Sequence, residues 1–267
     1  MKLSCTLFLC DPDLSFEKSA QLVSQAGYSA IEIPGALQAN PEKITKHDVK
    51  EIRSILERTN LDVSGFCLLY PKDMRHVSPV RSKRARSLRY TKRLVDIASE
   101  VGARILVWGS GYARNIPPRI PRKVGMEWLI ELLKEAGEYA AERNVTFAIE
   151  PLNRYESNVA NTVGQATELA QSVASPAVRV LCDTYHMNIE EGSIRDAIVH
   201  AAGMLAHVHV SDNNRDIPGR GHINFDEVFS ALRTIGYDGY VTLEPILRRD
   251  ISRDLVEGKS YLQKFLG

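Results

Sequence analysis

Four short apolar runs in the second half of the chain end in residues able to do acid–base or metal chemistry. They are Ala148-Ile149-Glu150-Pro151, Leu181-Cys182-Asp183, His207-Val208-His209-Val210 and Thr242-Leu243-Glu244-Pro245. Carboxylates are seldom buried without a counter-charge. Three of them converging with an imidazole need a cation, and that donor set suits Mn2+ best, with Co2+ or Mg2+ next, over a thiolate-seeking metal. His207 and His209 have the same strand parity. His209, nearer the C-terminal end, is the better ligand, and His207 reads equally as a core group or a neighbour of the ligands. A single acidic residue at a strand end is ordinarily a helix cap or a salt-bridge partner; four such positions in four successive runs form a pattern. Glu150 and Glu244 add a second chemistry. Two carboxylates facing one another across a pocket can act as a general acid and base. Beside a metal-polarised carbonyl, one removes an α-proton and the other returns it from the far side. That inverts the stereocentre through an enediolate and needs no organic cofactor.

Such residues must be held by a regular scaffold. Apolar, β-branched runs fall at 3–10, 30–34, 62–70, 104–109, 146–152, 178–183, 205–211 and 240–246. Each is followed by a stretch with helical spacing, at 15–26, 46–59, 82–101, 125–142, 162–174, 193–202, 225–235 and 250–266. Strands apolar on both faces are parallel strands covered by helices. Eight strand–helix units with no polar linker predict an α/β fold, a single (β/α)8 TIM barrel over residues 1–267. Gly27, Gly102 and Gly236 sit where left-handed helix caps are expected. A doubly wound open sheet lacks its phosphate-binding fingerprint, since the stretch from Gly109 to Arg114 fails at the third glycine. Active sites of such barrels lie at the C-terminal strand ends, where the four runs above finish.

Composition narrows the partners. At 44% hydrophobic and 25% charged residues the chain is ordinarily globular, and a net charge of +1 advertises no nucleic acid. No run approaches the length of a membrane span. The apolar start is stopped by Asp11 and Asp13, and reads as a first strand and not a signal peptide. Cys5, Cys10, Cys67 and Cys182 form no CxxC pair and read as reduced thiols of a cytoplasmic protein.

Three longer motifs carry a resemblance. Ile149-Glu150-Pro151-Leu152-Asn153-Arg154-Tyr155-Glu156, Asp183-Thr184-Tyr185-His186-Met187-Asn188-Ile189-Glu190-Glu191, and His207-Val208-His209-Val210-Ser211-Asp212-Asn213-Asn214-Arg215 resemble the ketose 3-epimerases of the xylose-isomerase-like barrel superfamily. Pro218-Gly219-Arg220-Gly221 extends the third. The resemblance implies metal ligands at Glu150, Asp183, His209 and Glu244, with Glu150 and Glu244 exchanging the proton at C3 of a free 2-ketose. It implies that Glu156 and His186 hold the C1–C2 end of the sugar and that Arg215 supports charge developing near O2 or O3. A homodimer or homotetramer is expected.

The chain departs from the family after Glu244, in Pro245-Ile246-Leu247-Arg248-Arg249, and in a first strand poor in aromatics. Trp108 is expected as a stacking wall for the sugar, and Cys67 as part of a largely apolar far wall. Glu32 also points to the mouth, with no role assigned. Arg220 and His222 could bind the carboxylate of a keto-sugar acid if they reach the pocket. Other readings are an aldose–ketose isomerase of hydroxypyruvate or inosose type, a non-catalytic sugar- or metal-binding barrel, and an abasic-site endonuclease. The last needs further histidines at the ends of strands two and three, where Glu32 and Cys67 stand. The basic run 81–93 reads as a solvated helix face or subunit contact in preference to a phosphate track.

Overall fold

Strand periodicity and helical periodicity alternate around a closed ring. The computed structural model describes residues 1–11, 13–247 and 250–266. The strands are β1 (Lys2–Cys5), β2 (Ala30–Pro34), β3 (Asp62–Cys67), β4 (Ile105–Trp108), β5 (Thr146–Ile149), β6 (Val178–Asp183), β7 (Leu205–Val210) and β8 (Tyr240–Leu243). All are parallel and neighbour one another in chain order, and β8 pairs back onto β1. This is the (β/α)8 barrel expected from the sequence.

The helices packed outside it are α1 (Phe16–Gln25), α3 (Lys46–Thr59), α4 (Arg81–Val101), α6 (Arg122–Ala141), α7 (Val163–Val173), α9 (Ile194–His200), α10 (Phe225–Thr234) and α11 (Ile251–Gln263). Three short helices, α2 (Gly35–Gln38), α5 (Gly111–Arg114) and α8 (Thr184–Glu190), lie in connections at the C-terminal strand ends. Side-chain oxygens of Ser15, Thr45, Thr162, Asp183, Ser193, Asn224 and Asp250 accept from backbone N–H groups in the first helical turn. Thr45 and Asp48 complete a capping box. Gly27, Gly102 and Gly236 have φ of 81°, 88° and 67°, as their positions required.

The strands are shorter than their apolar runs. β1 ends at Cys5, β3 at Cys67 and β8 at Leu243. The apolar residues beyond them continue as buried or half-buried mouth loops, because apolarity reports burial and not strand pairing.

Alternation along each strand sorts the core into two parts. Leu106, Trp108, Phe147, Ile149, Val180 and Val208 face the helices and join the main core. Each such side chain contributes about 1.5–3 kcal/mol by leaving water. Cys67, Val107, Ala148 and Leu181 form a small separate cluster that plugs the barrel. The next inward positions, two residues on, are Gly109, Glu150 and Asp183, so the plug is the floor beneath the mouth.

Candidate active site

The register sets the polar side chains side by side. Asp183 of β6 pairs with His209 of β7, and His209 pairs with Thr242 of β8, two residues before Glu244. Ligand atoms of Glu150, Asp183, His209 and Glu244 all lie within 4.8 Å of one another, and all four residues are buried. His209 Nδ1 stands 3.4 Å from Glu150 Oε1 and 3.5 Å from Glu244 Oε2. It has no aligned hydrogen-bond partner.

The far side of His209 is fixed by a residue to which the sequence assigned no role. Its Nε2 lies 3.1 Å from Glu32 Oε1 and 3.2 Å from Oε2. Glu32 Oε2 is also 2.7 Å from His207 Nε2, which in turn approaches Thr242 Oγ1 at 3.1 Å. A carboxylate on Nε2 keeps the proton there and turns the Nδ1 lone pair to the mouth, the arrangement that outer carboxylates impose on metal-ligating histidines. His207 is thus a buried neighbour of the site.

The electrostatics call for positive charge between the acids. Burial pushes the Glu150 carboxyl up, and Glu244 and Asp183 add to this against the opposing effect of His209. Burial also raises Asp183 and Glu32, but neighbouring charges and hydrogen bonds reverse both. Arg215 holds Asp183 low, and His209 with His207 holds Glu32 low. Burial disfavours a charged His209, yet Glu32 and Glu244 outweigh it and raise its pKa well above the ordinary value. The position of Nδ1 therefore attracts either a proton or a cation. A divalent ion fits: three carboxylates and one orphaned imidazole nitrogen converge there in a buried cluster.

Arg215 supplies the counter-charge that is visible. Its guanidinium donates to Asp183 Oδ2 at 3.2 Å, makes a short contact with Glu244 Oε2, and stacks 4.5 Å above the Tyr185 ring. Its backbone φ of 64° is the left-handed conformation that bulky residues avoid. The turn is imposed by its surroundings, since the Arg215 N–H donates to Asp212 O and its carbonyl accepts from Ile246 N–H.

Above the cluster opens a cleft of about 330 Å³, at the small end of ligand sites. Glu150, Glu156, His186, Arg215 and Glu244 line its polar part, and Phe8, Cys67, Leu68 and Tyr112 its apolar part. Cys67 is where it was expected, with burial and then Glu32 and Glu244 pushing its thiol up. His186 Nδ1 accepts from Asn153 N–H at 3.2 Å, which leaves the proton on Nε2, 3.8 Å from Asp183 Oδ2. Asn153 Nδ2 also donates to Glu156 Oε1 at 2.9 Å. Asn153 thus spaces Glu156 from His186, a role its place in the motif did not reveal. Arg154 pairs with Glu190 and not with Glu156, whose carboxylate stays on the cleft rim.

Two expectations are corrected. Trp108 does not wall the cleft. Val107 of the same strand points into the barrel, so by alternation Trp108 points outward, 1% exposed, stacked on His76 and 5.1 Å from the Arg114 guanidinium. Arg220 does not reach the cleft either. Asp216, Asp254 and Glu257 bind its guanidinium, the last two from α11. His222 is exposed and is not part of the cleft lining. Arg248 and Arg249 lie outside the described residues.

Comparison with known proteins agrees with this geometry. Residues 20–265 match the model of the xylose isomerase-like TIM barrel family. A 3-dehydro-D-guloside 4-epimerase of Escherichia coli K12 is 29% identical over 234 residues, 85% of this chain and 86% of the relative. A ketose 3-epimerase of Arthrobacter globiformis is 30% identical over 240 residues, 89% of this chain and 80% of the relative. The crystal structure of D-psicose 3-epimerase with D-tagatose from Clostridium cellulolyticum H10 superposes with a TM-score of 0.90 at 23% identity, covering 100% of this chain and 99% of the other, a likeness of fold. With strand-end cluster, barrel and sequence in agreement, the chain belongs to the xylose isomerase-like TIM barrels, in the ketose 3-epimerase family, and is an isomerase of the epimerase kind.

Proposed function

We propose that the chain is a divalent-metal-dependent epimerase that inverts C3 of free 2-ketoses. The observation that carries this reading is the placement of Glu150 and Glu244 within 3.4 and 3.5 Å of the same His209 Nδ1, beneath a sugar-sized cleft. Glu150, Asp183, His209 and Glu244 would hold the ion, Mn2+ first and Co2+ or Mg2+ next. When bound, it polarises the ketone and makes the adjacent C–H acidic.

The rest is the work of side chains. Glu156 and His186 hold the hydroxyl and ketone end. One glutamate takes the proton from C3, and the bonding pair moves toward the C2 oxygen to give the enediolate. Arg215, already among the acids, supports that charge. The other glutamic acid returns a proton to the opposite face of C3. One turnover leaves the two glutamates with exchanged protonation, ready for the reverse reaction or for resetting by solvent. Cys67 and its apolar neighbours face the remote carbons and discriminate weakly among them, so several five- and six-carbon ketoses are expected substrates.

A second reading rests on the Escherichia coli relative, named for 4-epimerisation of a 3-dehydro-guloside. The same pair of acids serves any carbon beside a sugar ketone. Binding of Arg220 by three carboxylates speaks against a sugar-acid substrate. Within the basic run at the start of α4, Arg86 is bound by Glu42 and Asp73 and Arg84 lies over the Trp128 ring, which speaks against the endonuclease reading. No helix among the described residues is long and apolar enough to cross a membrane. We read residues 1–267 as one domain working in the cytoplasm as a homodimer or homotetramer.

The test is solvent-deuterium incorporation. Protein stripped by chelator, then reloaded with Mn2+, Co2+ or Mg2+, is given ketopentoses, ketohexoses and 3-keto-glycosides in D2O. The reading expects deuterium at C3 with inversion, absent after chelation and restored by Mn2+ or Co2+. Inversion at C4 of a keto-glycoside alone favours the second reading. Exchange at C1 with aldose formation makes the protein an aldose–ketose isomerase, and turnover of no sugar leaves a binding barrel.

A further inference from the structure

The guanidinium of Arg114 is wholly buried and its strongest bonds go to carbonyls. Nη1 donates to the carbonyl of Trp108 at 2.6 Å and Nη2 to that of Glu150 at 2.7 Å, while Nε reaches Ser157 Oγ at 3.4 Å. A guanidinium is a cation at any ordinary pH, so this is a buried charge. Burying a charge is costly unless the charge does something an apolar residue cannot. What this fork does is tie the peptide that ends β4 to the peptide of Glu150.

A second observation falls on the same glutamate. Gly109 directly follows Trp108, takes the inward position just past the end of β4 and lines the cleft. A Cβ built on Gly109 would overlap Glu150 Oε2. The missing side chain is the space the carboxylate occupies. The Glu150 main chain is therefore held from behind by Arg114, and its carboxylate is bounded in front by the Gly109 backbone. Glu244 has neither constraint; its carboxylate is held by Arg215.

We infer that Arg114 and Gly109 form a positioning device for one of the two acid–base groups, Glu150, and not for the other. This deepens the epimerase reading and rests on it. Neither residue touches the reacting carbon; both act through Glu150. The predicted mark is asymmetry. The two C3 epimers present their protons to different glutamates, so loosening Glu150 should slow exchange from one epimer and spare the other.

The variants are Arg114→Lys, which keeps the charge and loses the fork, Arg114→Met, and Gly109→Ala, which crowds the carboxylate and leaves Arg114 in place. Each is loaded with saturating Mn2+, and C3 deuterium exchange is followed separately from each member of an epimeric ketose pair before inversion accumulates. Mn2+ affinity without sugar and Tm are measured alongside. We expect exchange from one epimer to fall about 10–100-fold in all three variants, the Lys variant least among those at Arg114, and Mn2+ affinity to weaken by about tenfold. Exchange from the other epimer should persist. Equal losses from both epimers, in step with a lowered Tm, would overturn the inference and make Arg114 a packing residue. Should Arg114→Met not fold, Gly109→Ala decides alone. If the wild-type protein exchanges neither epimer, the epimerase reading fails and the Mn2+ affinities alone decide the positioning.

Discussion

Strands β5 to β8 bring Glu150, Asp183, His209 and Glu244 to the mouth of the barrel. The segments at the ends of β1, β3 and β4 bring Phe8, Cys67, Leu68 and Gly109. One half of the rim carries charge: three carboxylates and an imidazole, the groups proposed to move protons. The other half carries shape: an apolar wall, a gap where a side chain is absent, and behind them the Arg114 fork. Glu32, the inward carboxylate of β2, serves the charged arc instead by fixing His209 across the barrel. Reactivity and fit are thus assigned to opposite arcs of one ring. A change in the first arc should alter rate constants, and a change in the second should alter which sugars are accepted.

The division is broken most directly at the acids. Glu150→Gln and Glu244→Gln should each lower kcat by about 10²–10⁴-fold, measured as loss of C3 inversion with Mn2+ bound. Near wild-type inversion in either variant would remove that residue from the acid–base pair. A smaller effect is expected at the residue that crosses between the arcs. Glu32→Gln should weaken Mn2+ binding by about 10–100-fold in a direct titration, with much of kcat recovered at saturating metal. Unchanged affinity would show that His209 needs no partner on Nε2.

Solution pH probes the shape-giving arc without touching the acids. His76, buried beside Trp108, has its pKa pushed down from 6.5 to about 3, by burial first and then by Arg114. The unfolded chain therefore binds a proton at this site that the folded chain refuses. Stability from His76 is full above about pH 6.5 and is lost as pH falls toward 3, at up to about 1.4 kcal/mol per pH unit. Denaturant titrations from pH 7 to pH 4 should show a shallower decline in His76→Asn than in wild type, and parallel curves would refute the assignment. The smallest effect is expected on the wall. Leu68 has a left-handed φ of 42°, which asparagine tolerates better than leucine. Leu68→Asn should leave kcat nearly intact and shift KM by no more than about tenfold among ketoses differing at the remote carbons. A collapse of kcat would mean that the wall takes part in the chemistry.

Legibility followed the same line. The barrel and the four strand-end residues that cluster at its mouth could be read because a polar group after an apolar run is conspicuous and recurred in four consecutive strands. Trp108 was misplaced because alternation fixes faces only once one inward residue is known, and Val107 and Trp108 are both apolar. Glu32 gave no clue to its partners, which lie 175 and 177 residues away in the chain. Arg114 looked like any loop arginine, and α5 is too short to show a helical period. Gly109 acts by what it lacks, so only the packed structure shows which group fills its place.

The clamp on Arg220 bears on the order in which the protein is made. Asp254 and Glu257 lie in α11, the last helix of the chain, and Arg220 belongs to the same connection as Arg215. On the ribosome, β5 to β7 emerge with three of the four acid and imidazole groups well before that anchor exists. The Arg215 loop gains its fastening to α11 only after residue 257 has left the exit tunnel. Until then a nascent chain holds the Arg215 loop without that fastening, so the seating of this arginine waits on a helix that follows it in the sequence.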